Sequence, residues 1–181
     1  APHDFAARID AHGIADALAM LGVAPTAPRL RIVRDGVVDV GASRYELRVN
    51  DDGDDSIEIE VVVDFGRPGL ARWAGDAEDF RTRIAVARTF GFEREVEDLL
   101  ARGLASHATP ESVVVIGDTR ILSCGAPFTD DEPARHKLLD LIGDLYIHGG
   151  PPIESVRALR PGHAATHEAM RRAHADGLVV R

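Results

Sequence analysis

Polar and apolar residues alternate along three stretches of the first third of the chain, residues 29–34, 44–49 and 56–65. A period of two predicts antiparallel strands with one face buried. Between the last two lies Asp51-Asp52-Gly53-Asp54-Asp55, which reads as a solvated hairpin tip. The EF-hand pattern does not continue beyond it, so calcium is not its expected partner. Elsewhere the period lengthens. Residues 9–22 read as a helix on Ile9, Leu18 and Leu21, stopped by Gly22, and Pro25 and Pro28 mark a connector. A second helix is predicted over about 76–88, and a short one over 93–102 that ends at Gly103. Residues 113–116 (VVVI) read as a short buried strand that can pair with 120–122 across Gly117-Asp118. A long helix follows over about 131–147, capped by Asp130 or Asp131 with Pro133 in its first turn, and Gly149-Gly150-Pro151-Pro152 ends it. A last helix spans about 163–175 and closes at Gly177. Strands and helices in this order predict an α+β fold, a two-layer α/β sandwich with the helices on one face of the sheet.

The composition narrows the function classes. With 45% hydrophobic and 28% charged residues among 181, the chain can bury a core of its own. A formal charge of -9 argues against nucleic acid as partner, because phosphate backbones call for a basic surface. Cys124 is the single cysteine, which rules out an internal disulfide and a thiolate metal cluster and fits a cytoplasmic setting. No run is long and apolar enough for a membrane span, and no secretory pattern or internal repeat is present. The chain opens on alanine in mid-pattern, which suggests a piece of a longer polypeptide.

The chemistry concentrates in the long helix. His136, Asp140 and Asp144 are spaced by four and share a face, while Leu138, Leu141, Ile142 and Leu145 occupy the opposite one. An imidazole and a carboxylate on successive turns can bind one metal ion, and zinc takes both. An ordinary ion pair on a solvated helix face explains the spacing as well, since two donors do not make a site. Gly143, inside the helix, costs about 1 kcal/mol relative to alanine, which predicts a close approach there. Further on, His163 and His167 are an i, i+4 pair, open to a metal or an acid–base role or simply to solvent. His3, His12, His107, His148 and His174 have no partner at ligand spacing and are expected at the surface.

Three phrases together suggest a family: ARTFGF (87–92), FTDDEPARHKLLDLIGDL (128–145) and RPGH (160–163). In order and separation they resemble the UDP-3-O-acyl-N-acetylglucosamine deacetylase family of lipid A biosynthesis, well over residues 60–175 and weakly before. The resemblance implies two similar α/β domains around a zinc site. His136 and Asp140 would be two zinc ligands, and Lys137 would contact substrate near the reacting carbonyl. Asp144 would orient and charge His163, which protonates the leaving amine. Thr89 would stabilise the oxyanion, and Phe90 and Gly91 would line the substrate site. Residues 93–122 would be an inserted βαβ-like unit forming an acyl-chain passage, with Leu99, Leu100 and Leu104 as wall residues. The implied substrate is an acylated UDP-sugar and the implied cofactor Zn2+.

Departures from the family pattern shape the expectation. The family's third zinc ligand is a first-domain histidine next to a glutamate base, and no Glu-His pair occurs in this chain. Residues 1–28 thus read as the end of a first domain plus linker, and 29–181 as the C-terminal domain. The absent first domain would be an intramolecular partner. The isolated chain is then expected to be inactive and to expose an apolar sheet face. Alternatives are a non-catalytic module of the same fold, or a site completed by His163 as a third ligand. Pro127 stands where the family has an arginine, and SHATPES (106–112) replaces a glycine-rich stretch.

Overall fold

The computed structural model describes residues 29–51, 53–64, 68–101, 113–118, 120–124 and 126–181. The expected helix over 9–22, Leu104, His3, His12 and His107 lie outside them, as do the side chains of Leu99 and Leu100. In chain order the elements are β1 (Arg31–Ile32), β2 (Gly36–Val40), β3 (Ser43–Arg48), β4 (Glu58–Asp64), β5 (Pro68–Trp73) and α1 (Ala77–Asp79), which runs on as a π-helical turn (Phe80–Ile84). Then follow β6 (Thr89–Phe92), α2 (Glu93–Ala101), β7 (Val113–Ile116), β8 (Ile121–Leu122), α3 (Glu132–Ile147), β9 (Ser155–Leu159), α4 (His163–Ala175) and β10 (Val179–Val180).

Five strands form the main sheet in the order β2-β3-β9-β4-β5, with β4 and β9 parallel and the other pairs antiparallel. The register explains the alternation seen in the sequence. Val38, Tyr45, Ala158, Val61 and Ala71 lie in one row across the five strands, and all are buried. The adjacent row, Val37, Glu46, Arg157, Glu60 and Arg72, points the other way. There Arg157 Nε donates to Glu60 Oε1 at 2.6 Å, and Arg72 holds the other oxygen of Glu60. The face expected to be bare and apolar therefore carries a row of alternating charge.

The helices cover the opposite face. α3 lies over β4 and β5, α4 over β2, and the two helices touch each other. Leu138, Leu141, Ile142 and Leu145 of α3 and Ala169, Met170 and Ala173 of α4 complete the core with Tyr45, Leu47, Ile59 and Val156. This is the two-layer α+β sandwich that the pattern predicts. Inside it, the buried Tyr45 hydroxyl and Thr166 Oγ1 lie 2.9 Å apart, which satisfies both.

Five strands escaped the sequence reading: β2, β5, β6, β9 and β10. Because β9 lies between β3 and β4, the acidic run near residue 53 is not a hairpin tip. It is a turn, closed by Asp54 N on Asp51 O at 3.0 Å, and Asn50 Nδ2 ties it to Ile153 O at 3.1 Å. The expected helix over 76–88 is shorter. Asp76 caps it by accepting from Asp79 N at 2.6 Å, and a bond from Ala85 N to Phe80 O closes the π turn. The second sheet, β6-β7-β8, has β6 and β7 parallel with α2 connecting them, a βαβ-like unit as expected. Ile116 and Val115 pair with Ile121 and Leu122 as read from the sequence.

Candidate active site

The N-terminal end of α3 is fixed by a buried ion pair. Arg88 Nε and Nη2 donate to Glu132 Oε1 and Oε2 at 2.8 and 2.9 Å, and Arg88 N adds a bond to Oε1 at 3.1 Å. Arg88 Nη1 donates to Ser123 Oγ and Cys124 O. One guanidinium thus joins the chain before β6, the chain after β8 and the first turn of α3. Asp131 occupies the N-cap position without a side-chain cap, and its carboxylate accepts from Arg135 Nε at 2.9 Å instead.

One turn further, His136 Nδ1 lies 3.2 Å from Ala87 O. A carbonyl can only accept, so Nδ1 carries the proton and Nε2 keeps its lone pair. That nitrogen lies 3.6 Å from Asp140 Oδ1, and both side chains are about five-sixths buried, with 15% and 17% exposed. Burial first pushes the His136 imidazole below its ordinary range, against the opposing pull of Asp140 and the Ala87 carbonyl. Lys137 Nζ donates to Asp140 Oδ2 at 2.8 Å and sits 5.8 Å from the centre of the Phe90 ring. The Phe90 ring also meets His136 edge-on, with centroids 6.1 Å apart.

A tight bend delivers the next group. β9 ends at Leu159, and Arg160 turns with a φ of 49°, held by a bond from its N to Val62 O and one from Ser43 Oγ to its own carbonyl. Gly162 then starts α4, and His163 is its first residue. His163 Nδ1 lies 2.9 and 3.1 Å from the two oxygens of Asp144. Its Nε2 lies 3.9 Å from Asp140 Oδ2, while His136 Nε2 faces the other oxygen, Oδ1. The His163 side chain is 65% exposed, whereas that of Asp144 is 9% exposed. The structure thus brings His136, Lys137, Asp140, Asp144, His163 and Phe90 together.

Other expectations fare differently. Thr89 is exposed at the start of β6, and no bond joins it to His136 or Asp140 among the described residues. A side chain added at Gly91 would meet nothing within 4 Å. The same holds at Gly143, where a close approach was expected. That face of α3 is open in the described structure, so neighbouring contacts do not require a glycine there. His148, expected as an unpaired surface residue, has its Nε2 3.0 Å from His167 Nδ1. The signal was present, since 136, 140, 144 and 148 repeat every four residues. The Arg88–Glu132 clasp joins residues 44 positions apart, and no local pattern announces it.

Comparison with known proteins decides the family. The family model for UDP-3-O-acyl N-acetylglycosamine deacetylase matches residues 11–175. The chain belongs to that family. It is similar to the UDP-3-O-acyl-N-acetylglucosamine deacetylase of Myxococcus xanthus, 37% identical over 122 residues, which is 65% of this chain and 39% of that protein. It is likewise 37% identical over 147 residues to those of Brucella ovis and Brucella canis, 78% of this chain and 50% of each relative. The chain spans half or less of the length of these curated relatives. Among the described residues no group of three or more His, Cys, Asp and Glu side chains is arranged to hold a metal. No helix among the described residues is long and apolar enough to cross a membrane.

Proposed function

We propose that this chain is the C-terminal domain of a zinc-dependent UDP-3-O-acyl-N-acetylglucosamine deacetylase, a cytoplasmic enzyme of lipid A biosynthesis acting on an acylated UDP-sugar. The observation that carries this is the paired orientation in α3, with His136 Nδ1 on Ala87 O and Nε2 facing Asp140 Oδ1 at 3.6 Å. Two donors at about 2.0–2.2 Å from one tetrahedral zinc are themselves roughly 3.3–3.6 Å apart. The imidazole tautomer and a backbone carbonyl behind it are those of a typical histidine ligand. The donor set therefore fits zinc, with His136 and Asp140 as the ligands from this domain. A histidine ligand and a glutamate base would come from a first domain, a reading supported by the half-length match to the relatives.

Zinc, when bound, supplies Lewis-acid activation of the amide carbonyl and of water near neutral pH. The chain's own groups account for the remaining chemistry. Asp144 accepts from His163 Nδ1, which leaves Nε2 directed at the open side of Asp140. Held in this way, a protonated His163 donates from Nε2 to the departing glucosamine nitrogen. Lys137 contacts substrate near the carbonyl, with Phe90 and Gly91 beside it, and supplies positive charge for an anionic nucleotide-sugar. Thr89 donates its hydroxyl to the oxyanion.

The test uses the full-length parent, assayed for acetate release from UDP-3-O-acyl-N-acetylglucosamine and for bound zinc. His136→Ala should lose both. Full activity in that variant would remove His136 from the ligand set, and a parent that binds zinc but releases no acetate would make the domain a non-catalytic module.

A further inference from the structure

Asp144 is a buried carboxylate with two imidazoles beside it. His163 Nδ1 hydrogen-bonds both of its oxygens, and His167 Nε2 lies 3.7 Å from Oδ1, an electrostatic contact longer than a hydrogen bond. Behind His167, Nδ1 is 3.0 Å from His148 Nε2, with the ring centroids 5.3 Å apart. Two imidazole nitrogens at that distance share one proton, so one ring donates and the other accepts. The direction follows from charge. If His167 donated from Nδ1 in its neutral form, its Nε2 lone pair would face a carboxylate. If His148 donates, the His167 proton sits on Nε2, toward Asp144. Burial first, then the neighbouring His167 and Arg181, hold His148 below the ordinary histidine range, while Asp144 pulls the other way. A neutral His148 has one N–H to give. Its place is set by Arg181, whose Nε and Nη2 donate to the carbonyls of His148 and Ile147 at the end of α3.

Of the two imidazoles, only His163 hydrogen-bonds the buried carboxylate, and the His163 side chain is 65% exposed. We propose that His167, backed by His148, is a positioning residue for Asp144. The donor chain runs from His148 Nε2–H to His167 Nδ1, and from His167 Nε2–H toward Asp144 Oδ1. It keeps the carboxylate turned to His163 and so keeps His163 in its Nδ1–H form. The contribution to catalysis rests on the role given to His163 above, whereas the coupling itself does not.

The test reads imidazole tautomers by long-range 1H–15N correlation in the 15N-labelled 181-residue chain. The wild type should show His163 protonated on Nδ1, and His167 and His148 on Nε2. In His167→Ala, His163 should pass to a tautomer mixture, and His167→Asn, whose amide can still donate, should restore it in part. In His148→Ala, the His167 tautomer should become mixed; this variant carries the test if His167→Ala does not fold. In the full-length parent, His167→Ala should lower kcat on the order of 10-fold with KM and zinc content unchanged, the usual scale for a group that orients a reacting one. A His163 tautomer unchanged in His167→Ala, or a His167 proton on Nδ1 in the wild type, overturns the proposal. Absence of deacetylase activity in the parent would instead strike the functional reading and leave the tautomer result to decide the coupling.

Discussion

Arg88 and Glu132 stand 44 residues apart in the chain and meet in a two-pronged ion pair whose side chains are only 12% and 6% exposed. The pair decides where the strand bearing Thr89 and Phe90 sits relative to the helix bearing His136. Ser123 Oγ and Cys124 O add neutral contacts, so among the described residues the carboxylate is the guanidinium's one charge partner. Removing one member of a buried pair leaves the other uncompensated, at about 3–5 kcal/mol. Glu132→Ala should therefore lower the midpoint of thermal unfolding by roughly 6–20 °C. Calorimetry on the purified chain checks this, and a loss of only a degree or two would mean that the pair is solvated.

Acid should expose a second clasp. Burial raises the Glu60 carboxyl, but the hydrogen bonds from Arg157 and Arg72 outweigh it and hold the group below its ordinary value. A carboxyl depressed in the folded state contributes stability that is fully present above its unfolded pKa, about 4.3. That contribution is lost as pH falls through the lower, folded value. The stability gap between wild type and Glu60→Gln in urea unfolding should thus be constant from pH 7 to 5 and shrink below about 4. A gap independent of pH down to 3 would show that the carboxylate charge contributes nothing.

Asp144→Asn separates orientation from metal binding. The amide keeps the shape but removes the charge and can present its nitrogen to His163 Nδ1, which favours the wrong tautomer. Among the described residues the Asp144 side chain hydrogen-bonds His163, and no hydrogen bond or ion pair joins it to the side chains of His136 or Asp140, so zinc content in the parent should be unchanged. The rate should fall on the order of 10²–10⁴-fold, the range for loss of general acid catalysis. Loss of zinc in this variant would instead make Asp144 part of the ligand set.

The helices were legible in the sequence because their buried stripe and their polar face share one period. Leu138, Leu141, Ile142 and Leu145 are all buried where that period puts them. Three of the missed strands, β2, β5 and β9, have a physical reason. β5 opens on Pro68-Gly69, which reads as a turn, yet it is an edge strand, where a missing N–H does no harm. β2 is the opposite edge and opens on Gly36, where an added Cβ would sit 2.5 Å from a Leu178 side-chain atom. β9 is central, but its one charged residue, Arg157, is matched by Glu60 and Glu46 on distant strands. Only the folded register reveals that compensation. At the site, helical spacing was enough for His136, Asp140 and Asp144. It could not place the Ala87 carbonyl that sets the tautomer of His136, because that contact spans 49 residues.

Gly143 offers a test of what covers the open face of α3. It is exposed inside the helix, between Asp140 and Asp144 on the adjoining turns, and an added Cβ would meet no heavy atom within 4 Å. In the chain alone, Gly143→Ala should gain up to about 1 kcal/mol from backbone entropy and helix propensity. That corresponds to roughly 2–4 °C in the unfolding midpoint for a domain of this size. In the full-length parent the outcome depends on what lies against the helix there. If a first domain approaches closely to deliver the missing ligand and base, the same methyl group would separate them from His136 and Asp140. The parent variant should then lose activity and bind zinc more weakly, even though the chain alone has become more stable. Parallel calorimetry on the chain and zinc titration on the parent would read the two effects, and equal stabilisation of both with intact zinc binding would leave this face of α3 without a close neighbour.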